Sequence, residues 1–119
     1  MPDCLFCKII KKEIPANVVY EDDKFLGFLS INPDAPGHTL IIPKVHYRWV
    51  WDYPNLGEYY DVARTVAMAQ RKAFGEELIV SKVVGEDVPH AHIHVIPRRE
   101  TLGDKKDFEG NSKRIRENL

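Results

Sequence analysis

The sequence predicts an α+β domain, an antiparallel sheet of five strands carrying two main helices. Three observations lead there. A short helical pattern precedes three β-rich runs, one long helical pattern follows, and two more β-rich runs come after it. Tight turns join the strands, which favours antiparallel neighbours with helices packed on the sheet. The chain has 119 residues, room for one domain and a modest core. Its 44% hydrophobic and 29% charged residues are the balance of a soluble globular protein.

The elements follow in order. In "PDCLFCKIIKKEIP" Asp3 is a candidate N-cap, Leu5, Phe6, Ile9 and Ile10 fall at helical spacing, and Pro15 ends the run, which predicts a helix over 4–11. "NVVYED" and "KFLGFLSI" are β-rich runs meeting at Asp22-Asp23, a hairpin. "NPDAPGH" is packed with turn residues, and "HTLIIPK" is a third strand closed by Pro43. The longest helical pattern occupies 55–74. Tyr59, Val62, Ala63, Val66, Ala69, Gln70 and Ala73 share one face, and Gly75 is a natural stop. "ELIVSKVV" and "AHIHVIPR" are the fourth and fifth strands. The domain is expected over 1–100, with a polar tail at 101–119 that is either flexible or ends in a short helix, "NSKRIRENL".

A net charge of −1 argues against a nucleic-acid binder or a membrane-surface binder driven by bulk charge. No apolar run is long enough to span a bilayer, and no N-terminal segment reads as a signal peptide, so a cytoplasmic location is expected. There the two cysteines are thiols or metal ligands rather than a disulfide. Cys4 and Cys7 form C-x-x-C, which fits a redox pair, two buried thiols, or half of a zinc site. The βαβ pattern that would flank a thioredoxin-like pair is missing.

The stretch "HAHIHVIPRR" alternates His90, His92 and His94 with Ala91, Ile93 and Val95. In a strand, alternate side chains share a face. This predicts an imidazole front and a hydrophobic back. Ordinary solvent-facing polarity accounts poorly for three histidines at strict alternation. Imidazole serves near neutral pH as nucleophile, proton carrier and hydrogen-bond donor to phosphate.

The block "CLFCKIIKKEIPANVVYEDDKFLGFLSI", then "PGHTLIIPK", then "HAHIHVI", in that order, resemble the histidine triad (HIT) family over residues 4–99. The resemblance implies a HIT-like fold, with two subunits extending one sheet in a homodimer. It implies a hydrolase or transferase acting on a nucleotide α-phosphate, of purine type. His92 would attack phosphorus and form a covalent nucleotidyl-imidazole that water cleaves. His94 would hydrogen-bond the phosphoryl oxygens, and the His90 carbonyl would hold the His92 tautomer. His38 of "PGHT" matches a family histidine near the phosphate, and a purely structural role suits it equally. A subgroup with C-x-x-C implies structural zinc on Cys4, Cys7, His46 and His90. The nucleobase slot would be formed by Phe6, Ile9, Phe28 and Ile31, residues that would also serve as plain core.

The chain departs from the family at three places. Ser30 stands where many members carry an Asp that binds ribose hydroxyls. Glu86, followed by Asp87, stands where many carry Gln before the triad, and an ionised Glu86 would repel phosphate unless it points away or is protonated. The loop before the triad lacks the asparagine that often contacts phosphate, and Ser81 and Lys82 are the nearest candidates. Cleavage of a nucleoside phosphoramidate or a dinucleoside polyphosphate is therefore expected. The rival is a non-catalytic, zinc-stabilised nucleotide-binding module. Trp49 and Trp51 in "HYRWVWDYP" suit either core cover or an interface.

Overall fold

The computed structural model describes residues 4–119. Its elements are α1 (Leu5–Ile10), β1 (Val18–Glu21), β2 (Phe25–Leu29), β3 (Thr39–Pro43), a 3-10 turn (Val50–Asp52), α2 (Leu56–Phe74), β4 (Ile79–Lys82), β5 (Ile93–Pro97) and α3 (Phe108–Glu117). The five strands form one antiparallel sheet in the order β1-β2-β3-β5-β4.

The sheet has two covered faces. On its back, Phe25, Ile41, Ile93 and Val95 pack on Tyr59, Val62, Ala63 and Val66 of α2. On its front, Leu26, Phe28, Leu40 and Ile42 meet Phe6 of α1. The alternation expected for a half-buried strand therefore becomes an unbroken apolar run in β2 and β3, because both faces are buried. Helix α2 is capped by Asn55, whose side chain accepts from the Glu58 N–H, and ends at Gly75 in the left-handed conformation.

Two polar groups tie α2 to the sheet. The Tyr59 hydroxyl donates to the Ile41 carbonyl at 2.6 Å. Gln70, fully buried, donates to the carbonyls of Gly37 and Val95, both at 2.9 Å. The Gly37 contact fixes the turn that delivers His38.

Three boundaries differ from the sequence expectation. Cys4 caps α1, its Sγ accepting from the Cys7 N–H at 3.3 Å, so the helix starts at Leu5; Asp3 lies outside the described residues. Strand β5 starts at Ile93, so only His94 of the three histidines lies within the ladder. The reason is on the neighbouring strand. Pro43 has no N–H to give, and its carbonyl accepts from the His90 ring at 2.8 Å instead of from backbone. The tail helix starts earlier than expected, at Phe108, capped by Asp107. It packs: Ile115 is buried against Val19, Leu29 and Ala69.

Gly37 carries a backbone requirement. Its φ is +80°, and a Cβ there would meet the Phe74 ring, with Cζ at 2.8 Å. The Gly37→Ala variant should lose about 2 kcal/mol or more of unfolding free energy. Urea titration reads this directly, and a loss under about 0.5 kcal/mol would refute the packing argument.

Candidate active site and metal centre

His90 and His92 lie just before β5 and His94 within it, facing α1 and the 30–38 turn. His90 and His92 are fully buried and His94 half-buried. Burial fixes their hydrogen bonds, and the bonds fix their tautomers. His92 Nδ1 lies 2.8 Å from the His90 carbonyl and must donate to it, so Nε2 carries the lone pair. That nitrogen is buried and has no hydrogen-bond partner. Its nearest charge is Asp87 Oδ1 at 3.2 Å, a contact not aligned as a hydrogen bond. An ion pair there requires a protonated ring, and the neutral tautomer leaves the lone pair available.

A second chain of bonds sets His94. The Asp34 N–H donates to His38 Nδ1 at 3.0 Å. His38 Nε2 is then the protonated nitrogen, and it donates to His94 Nδ1 at 2.9 Å. The His94 Nε2–H is left as a donor. Both rings stay neutral near pH 7, because burial lowers each pKa to about 4. The His92 and His94 ring centres are 5.1 Å apart, close enough for one phosphoryl group to touch both.

A cavity of about 210 Å³ opens beside this pair, between α1 and β2. It gathers Phe6, Ile9, Phe28, Ser30, Ile31 and Asp87. Phe6 and Phe28 meet edge to face at 5.3 Å, and Phe6 meets His92 edge-on at 5.2 Å. Ile31 is an exposed rim residue, and the Ser30 hydroxyl accepts from the Asn32 N–H at 3.2 Å. His38 lies behind His94 rather than in the cavity wall, and Glu86 is exposed outside it. Sequence reasoning missed Ile14, Pro15, Ala16 and Asn17, which form one side of the cavity. It also missed the Asp34 backbone N–H. The Asn and Asp of the "NPDAPGH" turn signalled a tight turn, but not that one N–H would orient a ring.

Cys4, Cys7, His46 and His90 form the other cluster, and their ligand atoms lie within 4.8 Å of one another. His46 Nδ1 and His90 Nδ1 are 3.1 Å apart, and Cys4 Sγ is 3.3 Å from His90 Nδ1. A tetrahedral ion with two nitrogen and two sulfur ligands needs ligand–ligand edges of about 3.3–3.8 Å. The donor set is therefore close to the required size. His90 Nε2–H is held by the Pro43 carbonyl, which leaves Nδ1 unprotonated and turned to the cluster. These four residues can hold a metal ion. Trp49 and Trp51 are not core cover, since both are exposed. Arg48 lies 3.7 Å over the Trp49 ring and donates to the Gly85 carbonyl, which steadies the loop carrying Asp87.

The buried neutral histidines set a pH dependence. The unfolded chain takes up these protons at the ordinary histidine pKa of 6.5, whereas the folded chain resists until about 4. Stability is thus full above 6.5 and falls as pH drops toward 4. Urea midpoints at pH 7 and pH 5 should differ, and His38→Asn should narrow the difference. An unchanged difference in that variant would remove His38 from the account.

Residues 11–101 match the HIT domain. The chain is 43% identical over 111 residues to an uncharacterised HIT-like protein of Methanocaldococcus jannaschii, covering 88% of this chain and 86% of that one. It is 38% identical over 100 residues to the adenosine 5′-monophosphoramidase HNT1 of Saccharomyces cerevisiae, covering 82% of this chain and 63% of that one. Among solved structures, a Zn-bound histidine triad family protein from Mycobacterium smegmatis superposes with a TM-score of 0.87 at 31% identity, covering 98% of this chain and 92% of that one. The family match spans the sheet, both histidine-bearing turns and the triad, and the chain belongs to the HIT family.

Proposed function

We propose that this protein hydrolyses a nucleotide at its α-phosphorus through a covalent nucleotidyl-His92, with a nucleoside phosphoramidate as substrate. One observation carries the reading. His92 Nε2 is an unpartnered lone pair, held in place by the Nδ1–H bond to the His90 carbonyl, beside an aromatic cavity.

The base, of purine type, lies in the slot of Phe6, Ile9, Phe28 and Ile31, with Ser30 toward the ribose. His92 Nε2 attacks phosphorus, the Nε2–P bond forms and the P–N bond breaks. Its electron pair goes to the amine nitrogen, which leaves with a proton from water. The hydroxide so formed attacks phosphorus, the Nε2–P bond breaks with its electron pair returning to Nε2, and the nucleoside monophosphate departs. The His94 Nε2–H donates to a non-bridging oxygen as charge develops there. The two-step route suits imidazole, which is both a good nucleophile and a good leaving group. Asp87 favours the amine. Its carboxylate accepts from an N–H but repels the further phosphates of a dinucleoside polyphosphate. The yeast relative, an adenosine 5′-monophosphoramidase by name, supports the same class.

Zinc is the proposed metal, on Cys4, Cys7, His46 and His90, supported by the Zn-bound neighbour. Four protein ligands leave no open position, so its part is to hold α1 against His90 and not to activate water. The subunits pair as a homodimer across the edge strand β4 and α2, where Leu78, Val80, Tyr60 and Met68 are exposed. The protein works in the cytoplasm on a small molecule, without nucleic acid or membrane. Among the described residues no helix is long and apolar enough to cross a membrane.

Two measurements test this. Intact mass after mixing with adenosine 5′-phosphoramidate should show a transient nucleotidyl adduct. His92→Ala should abolish it and cut turnover by at least about 10³-fold. Stoichiometric binding with no product in the wild type would favour a binding module instead. Metal analysis should read one zinc per chain, and Cys4→Ser should lose the zinc and lower Tm. A fully loaded Cys4→Ser variant would remove Cys4 from the ligand set.

A further inference from the structure

We propose that Lys82 is a further substrate-binding residue, a cation delivered by the edge strand β4 to the phosphoryl oxygens of a nucleoside 5′-phosphate; this rests on the nucleotide reading above.

The register of the sheet gives the placement. Lys82 is the cross-strand partner of His94, whose partner on the other side is Leu40. Partners across a ladder point to the same face. Leu40 lines the nucleotide cavity, so Lys82 and His94 stand on the cavity face. Ser81, one position earlier, points to the opposite face and lines a separate cavity against α2. Alternation along the strand thus selects Lys82 over Ser81.

Its contacts show where the ammonium goes. Lys82 Nζ lies 3.5 Å from Asp34 Oδ2. Asp34 is also the residue whose N–H orients His38, and through it His94. The lysine therefore reaches across the His38–His94 pair to the turn beyond. The ion pair is long, with side chains 46% and 45% exposed, so it holds weakly and can exchange its carboxylate for a phosphoryl oxygen.

The charge balance supplies the need. Apart from the other histidines, the groups acting on His94 are the Lys82 ammonium and the Asp87 carboxylate. His94 and His38 are neutral. A phosphate entering between His92 and His94 would otherwise meet only the negative Asp87. Lys82 answers that charge with a charge-assisted bond, about twice as strong as a neutral one. It also supplies a contact to phosphate in a loop where the sequence offers no asparagine.

The test separates phosphate contact from base contact. Calorimetry would measure adenosine monophosphate and adenosine against wild type, Lys82→Met and Lys82→Arg, with zinc content and Tm recorded for each. Wild type should bind the monophosphate at least tenfold tighter than adenosine. Lys82→Met should erase that preference with adenosine affinity unchanged, and Lys82→Arg should restore most of it. With adenosine 5′-phosphoramidate, Lys82→Met should lower kcat by about 10²-fold. If Lys82→Met keeps the preference and turns over within threefold of wild type, the assignment of Lys82 is wrong while the nucleotide reading stands. If wild type binds neither nucleoside nor nucleotide, the nucleotide reading falls, and this one with it.

Discussion

His90 is the residue on which the rest of the site depends. Its ring Nε2–H holds the Pro43 carbonyl, its Nδ1 joins Cys4, Cys7 and His46, and its backbone carbonyl receives the His92 Nδ1–H. One buried residue thereby links the end of β3, the cap of α1 and the tautomer of His92. Such a group tolerates little movement. The carbonyl that orients His92 is displaced by anything that displaces the His90 ring, so the Cys4–Cys7–His46–His90 cluster and His92 Nε2 are mechanically coupled without sharing an atom.

The same coupling reaches the cavity. Helix α1 has only six residues, too short to persist alone in water. Its position comes from Cys4 and Cys7 at one end and from Phe6 on the other side, packed between Phe28 and His92. The aromatic wall of the cavity and the edge-on neighbour of His92 are one ring. The shape of the cavity and the position of His92 are accordingly set by a single packing arrangement.

The sequence announces much of this through spacing. Three alternating histidines, a C-x-x-C and the apolar face of α2 are periodic signals, and periodicity is what one strand or helix can express locally. The five-stranded antiparallel sheet followed from the same signals, joined by turn residues. What stayed illegible was non-local. Nothing around Pro43 says that its carbonyl will take a ring N–H and end the ladder before His92. Nothing in "NPDAPGH" says that the Asp34 N–H will set the tautomer of a histidine two bonds away. Pro15 reads as a helix stop and Asn17 as the start of a β-rich run, and both serve as cavity wall, because a wall is defined by what lies opposite it. The polar tail left a flexible end and a short helix equally open, because the packing partner of that helix, the Val19–Ala69 surface, lies far away in sequence.

Electrostatics explains how these parts divide the work. A fully buried charge beside a second buried charge is costly unless both are bonded, so the interior holds neutral rings whose protons are directed by carbonyls and by one backbone N–H. The formal charges sit at the rim, where the Lys82, Asp34 and Asp87 side chains are 46%, 45% and 66% exposed and cost little to keep ionised. A phosphoryl group entering this site meets oriented N–H dipoles on the inside, already aligned before it arrives. At the rim it meets a cation on the β4 side and a carboxylate on the side of the loop before the triad. That asymmetry gives the site a direction. On the proposed reading, anionic oxygens would be drawn toward β4 and a nitrogen-bearing leaving group accepted toward Asp87. The substitution of acidic residues before the triad is thus consistent with catalysis, provided the cation on the opposite edge is there to balance them.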